Sequence, residues 1–306
     1  MISVAIATYN GERFIREQLE SIIHQTVLPD EIIVRDDRST DDTLSIVEEY
    51  ADKYRNIRWD VRKNPANKGF VKNFIGAILA CNEEIILLCD QDDIWRFDRV
   101  ERIIEFFSDP KVISLHSDID IIDEKGDTIR NNVLGYKKEK EKVSIKQFVT
   151  NLYYCGMSSA FRKCLLPQIG SIDPNQIIIH DWLVHALAVC QDGFYKTNQV
   201  LTYRRYHVDN VALNLSKTER KGIKQRIEVV QYYCMHYSLL NDLYKRFGPD
   251  VKYKTFVEKV LQTNQARLDY LRNRDFAGVI KNLCNINFYP SRKAYVSDLL
   301  YMTHIF

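Results

Sequence analysis

Three carboxylates fall within four positions at the end of an apolar run: Ile85–Cys89 reads IILLC, and Asp90, Gln91, Asp92 and Asp93 follow at once. Alternate carboxylates at a strand end reach one cation together, and oxygen ligands suit Mg²⁺ or Mn²⁺, which keep waters and share a substrate's phosphates. The same acids would also suit the N-terminus of a solvated helix, where negative charge favours the dipole. Their place behind a buried strand, with more acids behind a second one (EIIVR, then Asp36 and Asp37), favours the cation. Two further polar groups stand at element ends: His180-Asp181 before an apolar helical stretch, and His207 after YRRY.

Such loops do chemistry only if a frame brings them together. Four short apolar runs read as strands: 2–8, 31–35, 57–61 and 84–89. Between them, apolar residues recur at helical spacing over 14–25, 39–54 and 70–81, and Ser39 with Asp42 resembles a capping box. This alternation predicts an α/β fold with a mostly parallel sheet flanked by helices and right-handed crossovers. Ligands bind such sheets at the carboxyl ends of strands. Thr8–Gly11, Asp36-Asp37, Asn64–Gly69 and Asp90–Asp93 should therefore open on one edge. Beyond residue 98 the reading is a helix at 98–107, strands at 112–118 and around a Gly126 turn, and a charged loop at 136–142. A strand at 155–163, a helix at 180–190 and one or two strands at 194–207 follow. From Ser216 the chain reads as helix, broken at Gly248-Pro249 and Pro290.

Of the 306 residues, 45% are apolar and 27% charged, the balance of a globular protein. The net charge of +2 hides an asymmetry: residues 1–214 carry 27 Lys+Arg against 33 Asp+Glu, and residues 215–306 carry 16 against 8. The seven cysteines are scattered with no CxxC pair, which predicts reduced core thiols and neither disulfides nor zinc. Met1-Ile2-Ser3-Val4 runs straight into a strand, so no signal peptide is expected. No apolar run is long enough to span a bilayer, and the expected location is cytoplasmic, with contact at the inner face of the membrane left open. With an acidic sheet edge and no groove-reading motif, nucleic acid is not an expected partner.

In this order, VAIATYNGERFIREQLESIIHQT, PDEIIVRDDRSTDDT, NKGFVKNF and LLCDQDDIW resemble the inverting nucleotide-sugar glycosyltransferases of family 2, with the GT-A fold, over residues 1–215. CDQDDIW with HDW and YRRYHVDN resembles the rhamnosyltransferase-like branch of bacterial surface-polysaccharide synthesis, which also holds enzymes that transfer glucose, galactose or N-acetylhexosamines. The resemblance implies a metal-dependent enzyme using Mn²⁺ or Mg²⁺ and a UDP- or dTDP-sugar. Ala7, Thr8 and Tyr9 would form the base pocket, with Tyr9 stacking on the pyrimidine. Asp37 would accept its N3–H, Lys68 would contact base or phosphate, and Arg204 would contact the diphosphate or fix the strand. Asp92 would bind the metal, with Asp90 at the ribose or a metal water, and His207 at the metal or a phosphate oxygen. Asp36 would be structural, and Asp93 would start the next helix. Asp181 matches the family's general base, which takes the proton of the acceptor hydroxyl. Asp118, Gly156, His180 and Trp182 would shape the acceptor side, with His116 and Ser117 nearby.

Residues 216–306 would form a helical extension. It could extend the acceptor site, make a dimer through Tyr232, Tyr233, Tyr237 and Leu240, or rest on an anionic membrane. A layer packed on the core, with oligomer contacts added, is preferred. The acceptor is a saccharide, lipid-linked or protein-linked. Two rivals remain: a non-catalytic nucleotide-sugar-binding module, which the carboxylates at 92 and 181 disfavour, and a sugar-1-phosphate nucleotidyltransferase, whose glycine-rich loop ATYNGERF lacks.

Overall fold

The computed structural model describes residues 1–207, 222–248 and 251–302. It begins with alternating strands and helices: β1 Ile2–Thr8, α1 Ile15–Ile23, β2 Glu31–Asp36, α2 Thr43–Lys53, β3 Arg58–Lys63, α3 Phe70–Leu79 and β4 Ile85–Cys89. A two-residue β5 (Ile94–Trp95) and α4 (Arg99–Phe107) follow. Then come β6 Ser114–Ile122, β7 Thr128–Arg130, β8 Glu141–Lys142, α5 Ile145–Phe148, β9 Ser159–Arg162, α6 Leu166–Gly170, α7 His180–Cys190 and β10 Phe194–Arg205.

The strands form one mixed sheet in the order β3-β2-β1-β4-β9-β6-β10-β5. β1 pairs in parallel with β2 on one side and β4 on the other, and β2 in parallel with β3. Both faces of β1 and β4 are covered, which is why they read as unbroken apolar runs and not as alternation. The half-exposed edge strand β3 carries Arg58, Arg62 and Lys63, charges that discourage pairing with another chain. β9 runs antiparallel between β4 and β6, and β6 runs parallel to β10. Chain order reverses between β1 and β4, so the loops behind these neighbouring strands flank a crevice.

The second half departs from the sequence reading in detail. Residues 114–122 make one long strand, β6, which runs on past the expected break at residue 118. Gly156–Ser158 is a 3₁₀ turn ahead of β9. Ser39 does not cap α2. The N-cap is Asp42, and Ser39 turns back to the buried Asp36 carboxylate three residues upstream. The thiols of 81, 89, 155 and 190 are buried, those of 164 and 284 exposed, and all seven are free.

The chain divides into two compact units. The first comprises 1–143, 154–188 and 192–207; the second 144–153, 189–191 and 208–306. The boundary read at residue 215, the stretch Val208–Ala212 and Pro249 lie outside the described residues. In the second unit the helices Gly222–Phe247 and Val251–Asn273 lead to Phe276–Lys281, a 3₁₀ segment Asn282–Phe288 and Arg292–Met302. Its interior holds Asp298, fully buried, bonded by Arg226 at 2.6 Å and Arg267 at 2.8 Å, with Arg267 lying over the Tyr289 ring. Tyr237 and Leu240, expected on a dimer surface, are buried, and the Tyr237 hydroxyl donates to Val149 O at 2.7 Å. Only the tyrosine stripe's outer part, such as Tyr232, reaches solvent.

Candidate active site

The loops behind β1, β2, β3 and β4 are tied together by their own polar side chains. Asp36, at the end of β2, is fully buried and accepts from Thr8 Oγ1 at 3.0 Å, Ser39 N at 2.9 Å and Ser39 Oγ. Asp37 is 2% exposed. Its carboxylate accepts from Asn64 Nδ2 at 2.9 Å and from the backbone N–H groups of Lys68 and Gly69, both at 2.8 Å. Asn73, on α3, accepts from Asn64 and donates to Arg35 O, fastening this loop to β2. Gly69 sits at φ +81°, where a side chain would be strained, and this permits the turn that aims its N–H at Asp37. The Lys68 side chain is left exposed beside it.

Tyr9 projects from the end of β1, half exposed. Its backbone is held by Gln91: Tyr9 N donates to Gln91 Oε1 at 2.9 Å, and Gln91 Nε2 donates to Tyr9 O at 3.0 Å. The amide thus adds a rung to the β1–β4 pair, whose register ends at Ile6 opposite Cys89. A Cβ on Gly11 would meet Gln91 Oε1 at 2.3 Å, so the clamp fits only against glycine. Asn10, at φ +46°, accepts from Thr40 N at 2.9 Å and completes the turn.

Asp90, Asp92 and Asp93 offer carboxylate oxygens that all lie within 4.8 Å of one another. Burial and the neighbouring Asp92 charge lift Asp90 to about 7, with Arg204 pulling it back down. Burial, then Asp92 and Asp90, raise Asp93 well above the usual carboxylate range. Crowded anions held above their ordinary pKa are the electrostatic condition a cation relieves. His207, from the end of β10, places Nε2 2.8 Å from Asp92 Oδ2. An imidazole nitrogen and a carboxylate oxygen thus converge on one point, and the donor set fits a divalent metal. Asp93 faces inward: it is 2% exposed and accepts from Arg205 N at 2.9 Å.

Two arginines position this loop and were not singled out in the sequence. Arg205, fully buried, donates to Asp92 O at 3.0 Å, to Glu124 O at 2.8 Å and to Glu17 Oε2 at 2.6 Å. Arg99 lies under the loop, donating to Met157 O at 2.5 Å and stacking on Trp95, and burial lowers its pKa to about 10. For Arg205 a signal existed: adjacent residues of a strand face opposite ways, so one arginine of Arg204-Arg205 had to point inward.

Asp181 begins α7. Burial first, and then the Asp90 charge, raise it to about 7, while the N–H groups of Trp182 and Gly156 pull it down. A Cβ on Gly156 would stand 3.6 Å from Asp181 Oδ2 and 3.3 Å from His180 Nε2, so this backbone lies directly against both side chains. His180 is 4% exposed and stacks on Phe74 at 4.1 Å. Burial lowers its pKa to about 3, so it is neutral. Neither of its ring nitrogens has a hydrogen-bond partner among the described residues.

Two residues expected at the acceptor side do not face a cleft. Trp182 and Asp118 are both fully buried. The Asp118 carboxylate accepts from the N–H groups of Ile119, Leu134 and Tyr136, so it shapes the 132–136 loop from beneath. His116 is also buried: its Nε2 accepts from Cys155 N at 2.9 Å, and burial lowers its pKa to about 3. The structure brings together Thr8, Tyr9, Asp37, Asp90, Asp92, Arg204 and His207 at the strand ends. The Asp90 charge, acting on Asp181, joins α7 to that edge.

The model of the family described as glycosyl transferase family 2 matches residues 3–170. An uncharacterized glycosyltransferase of Nostoc sp. is 29% identical over 260 residues, covering 81% of this chain and 76% of that one. A dTDP-rhamnosyl transferase of Shigella flexneri is 29% identical over 241 residues, covering 71% and 78%. Among solved structures, S. aureus TarS 1-349 in complex with UDP-GlcNAc superposes with a TM-score of 0.62 at 18% identity, covering 99% of this chain and 90% of that one. A mannosyltransferase of Pyrobaculum calidifontis in complex with GDP-Man and Mn²⁺ gives 0.57 at 18% identity, covering 99% and 84%. At such identities these two likenesses speak for the fold.

Proposed function

This chain belongs to glycosyltransferase family 2 and has its transferase fold, and from that premise we propose that it is an inverting, metal-dependent enzyme moving a hexose or deoxyhexose from a UDP- or dTDP-sugar to a saccharide acceptor. One observation carries the reading: two acidic centres, Asp90–Asp93 and Asp181, come from distant parts of the chain, and the Asp90 charge reaches Asp181 at the crevice edge.

The base of the donor lies on Tyr9, whose ring stands out at the end of β1, beside Ala7 and Thr8. Asp37 and Lys68 form the wall that closes on it, and Arg204 faces the diphosphate. Asp92 and His207 would hold Mn²⁺ or Mg²⁺, with Asp90 beside them, and that ion supplies positive charge to the leaving diphosphate. Asp181 takes the acceptor's hydroxyl proton as the oxygen attacks the anomeric carbon from the face opposite the leaving group, and the configuration inverts. Burial raises the affinity of Asp181 for that proton, which a base needs. His180, neutral and without a partner among the described residues, suits a hydrogen bond to an acceptor hydroxyl. The dTDP-rhamnosyl relative supports dTDP-rhamnose as the first donor to try.

The test is transfer from dTDP- and UDP-sugars by the wild type and by Asp181→Asn. The variant is expected to lose at least about a thousandfold in kcat while its nucleotide-induced rise in Tm persists. An Asp181→Asn protein of near-normal activity would refute the assignment.

A further inference from the structure

The second unit contains a helix that is apolar on both faces. Phe276–Lys281 continues into the 3₁₀ segment Asn282–Phe288. Its inner face is already packed, with Val279 fully buried in a cluster with Tyr270, Tyr289 and Tyr295. A helix with one buried stripe normally turns polar residues outward. Here the outer face carries Phe276 at 43% exposure, Ile280 at 50% and Leu283 at 50%, with Cys284 exposed next to them. Spacings of four and three residues keep these side chains on one face. Val296, on the adjoining helix Arg292–Met302, is also 50% exposed.

The charge around this face is mostly positive. From Tyr270 to Ser297 the chain has five Lys and Arg (Arg272, Arg274, Lys281, Arg292 and Lys293) and a single acid, Asp275. The Asp275 carboxylate caps the same helix, accepting from Gly278 N at 3.0 Å. Arg274, Lys281, Arg292 and Lys293 are all exposed.

We propose that this face, centred on Phe276, Ile280 and Leu283, seats the second unit on an anionic lipid surface. A short helix lying in the interface buries its apolar side chains among acyl chains while neighbouring cations meet anionic headgroups, each adding attraction. No helix of the described residues is long and apolar enough to cross a membrane, so the contact is peripheral. A second copy of the chain is a poorer occupant. Four half-exposed side chains offer a few hundred Å², below the roughly 800 Å² per partner of a stable interface, and two copies would bring like-charged rims together.

The experiment is co-sedimentation of the full chain with vesicles of phosphatidylcholine alone and with added phosphatidylglycerol, at low and high salt, for the wild type and for Ile280→Asp/Leu283→Asp. Both substituted side chains are half exposed, so the variant should fold, and an unchanged Tm and unchanged nucleotide-induced Tm shift will verify this. The expected result is binding to the phosphatidylglycerol vesicles, weakened by salt and at least about tenfold weaker in the variant. Absence of binding to either vesicle, or equal binding by the variant, would overturn the proposal. So would a wild-type dimer in light scattering that the same substitutions dissociate, which would assign the face to a second copy.

Discussion

Replacing Gly11 with alanine should damage nucleotide binding, and only through Gln91. Gly11 does not occupy the left-handed region, so its backbone accepts alanine. The three atoms nearest the added Cβ all belong to Gln91: Oε1 at 2.3 Å, Cδ at 2.4 Å and Nε2 at 2.9 Å. Real Cβ contacts are never that short, so the amide must swing away. Two hydrogen bonds to the Tyr9 backbone go with it, at 2.9 and 3.0 Å. Both lie near solvent, which places each at about 0.5–1 kcal/mol and the pair at about 1–2 kcal/mol. If the loss falls on the Tyr9 platform, affinity drops about 5- to 30-fold. The assay is calorimetric titration of dTDP and UDP, with Mn²⁺, into wild type, Gly11→Ala, Gln91→Ala and the double variant. Once Gln91 is gone, the new methyl group enters vacated space, so the double variant should match Gln91→Ala. Costs that add to within about 0.5 kcal/mol would refute the clamp.

Two further outcomes follow from the site's electrostatics. Asp181 must be ionised to act, so kcat/KM should climb with pH through about 7 and level off above it. A carboxyl whose folded pKa is raised favours the folded state fully below its unfolded value, and that contribution is lost as pH rises through the folded pKa. Asp181→Asn should therefore gain stability relative to wild type between pH 5 and pH 8, on the order of 2–3 kcal/mol, and a pH-independent difference in urea unfolding would count against the burial of that charge. Arg205→Met should cost about 3–5 kcal/mol, because the half-buried carbonyls at 92 and 124 and the Glu17 carboxylate all lose this fully buried donor, and Arg205→Lys should not restore it, because an ammonium lacks the forked reach. An unchanged Tm in Arg205→Met would contradict this role.

The alternation of strand and helix was legible because buried parallel strands leave unbroken apolar runs, and their ends carried the acids. What escaped the sequence was held by long-range contacts to backbone. Gln91 and Arg205 bind main-chain atoms 82 and 81–113 positions away; strand alternation marks one of the paired arginines as inward, but no local pattern marks the partners. Ser39 was misread because the capping pattern and an acid three residues upstream compete for one hydroxyl, and the buried Asp36 wins. Trp182 and Asp118 are expected at the acceptor side, yet both side chains are buried in the core. Alternation along β6 and helical rotation along α7 decide direction, and neither is fixed by motif spacing.

The span over which Arg205 acts has a consequence for synthesis. A ribosome releases β1, β2 and β4, with their apolar runs, well before Arg205 and His207 leave the exit tunnel. Until then the nascent chain holds the 90–93 carboxylates without the guanidinium that grips their backbone and without the imidazole that meets Asp92. The parallel pairing of β1 with β4 also joins segments about eighty residues apart, a slow closure. The crevice is thus a late product of translation. An early fragment ending near residue 190 would carry every acidic residue of the site and none of the cations at 204 and 205 that steady it. Such fragments expose apolar strand edges beside unbalanced negative charge, the condition in which chains recruit chaperones.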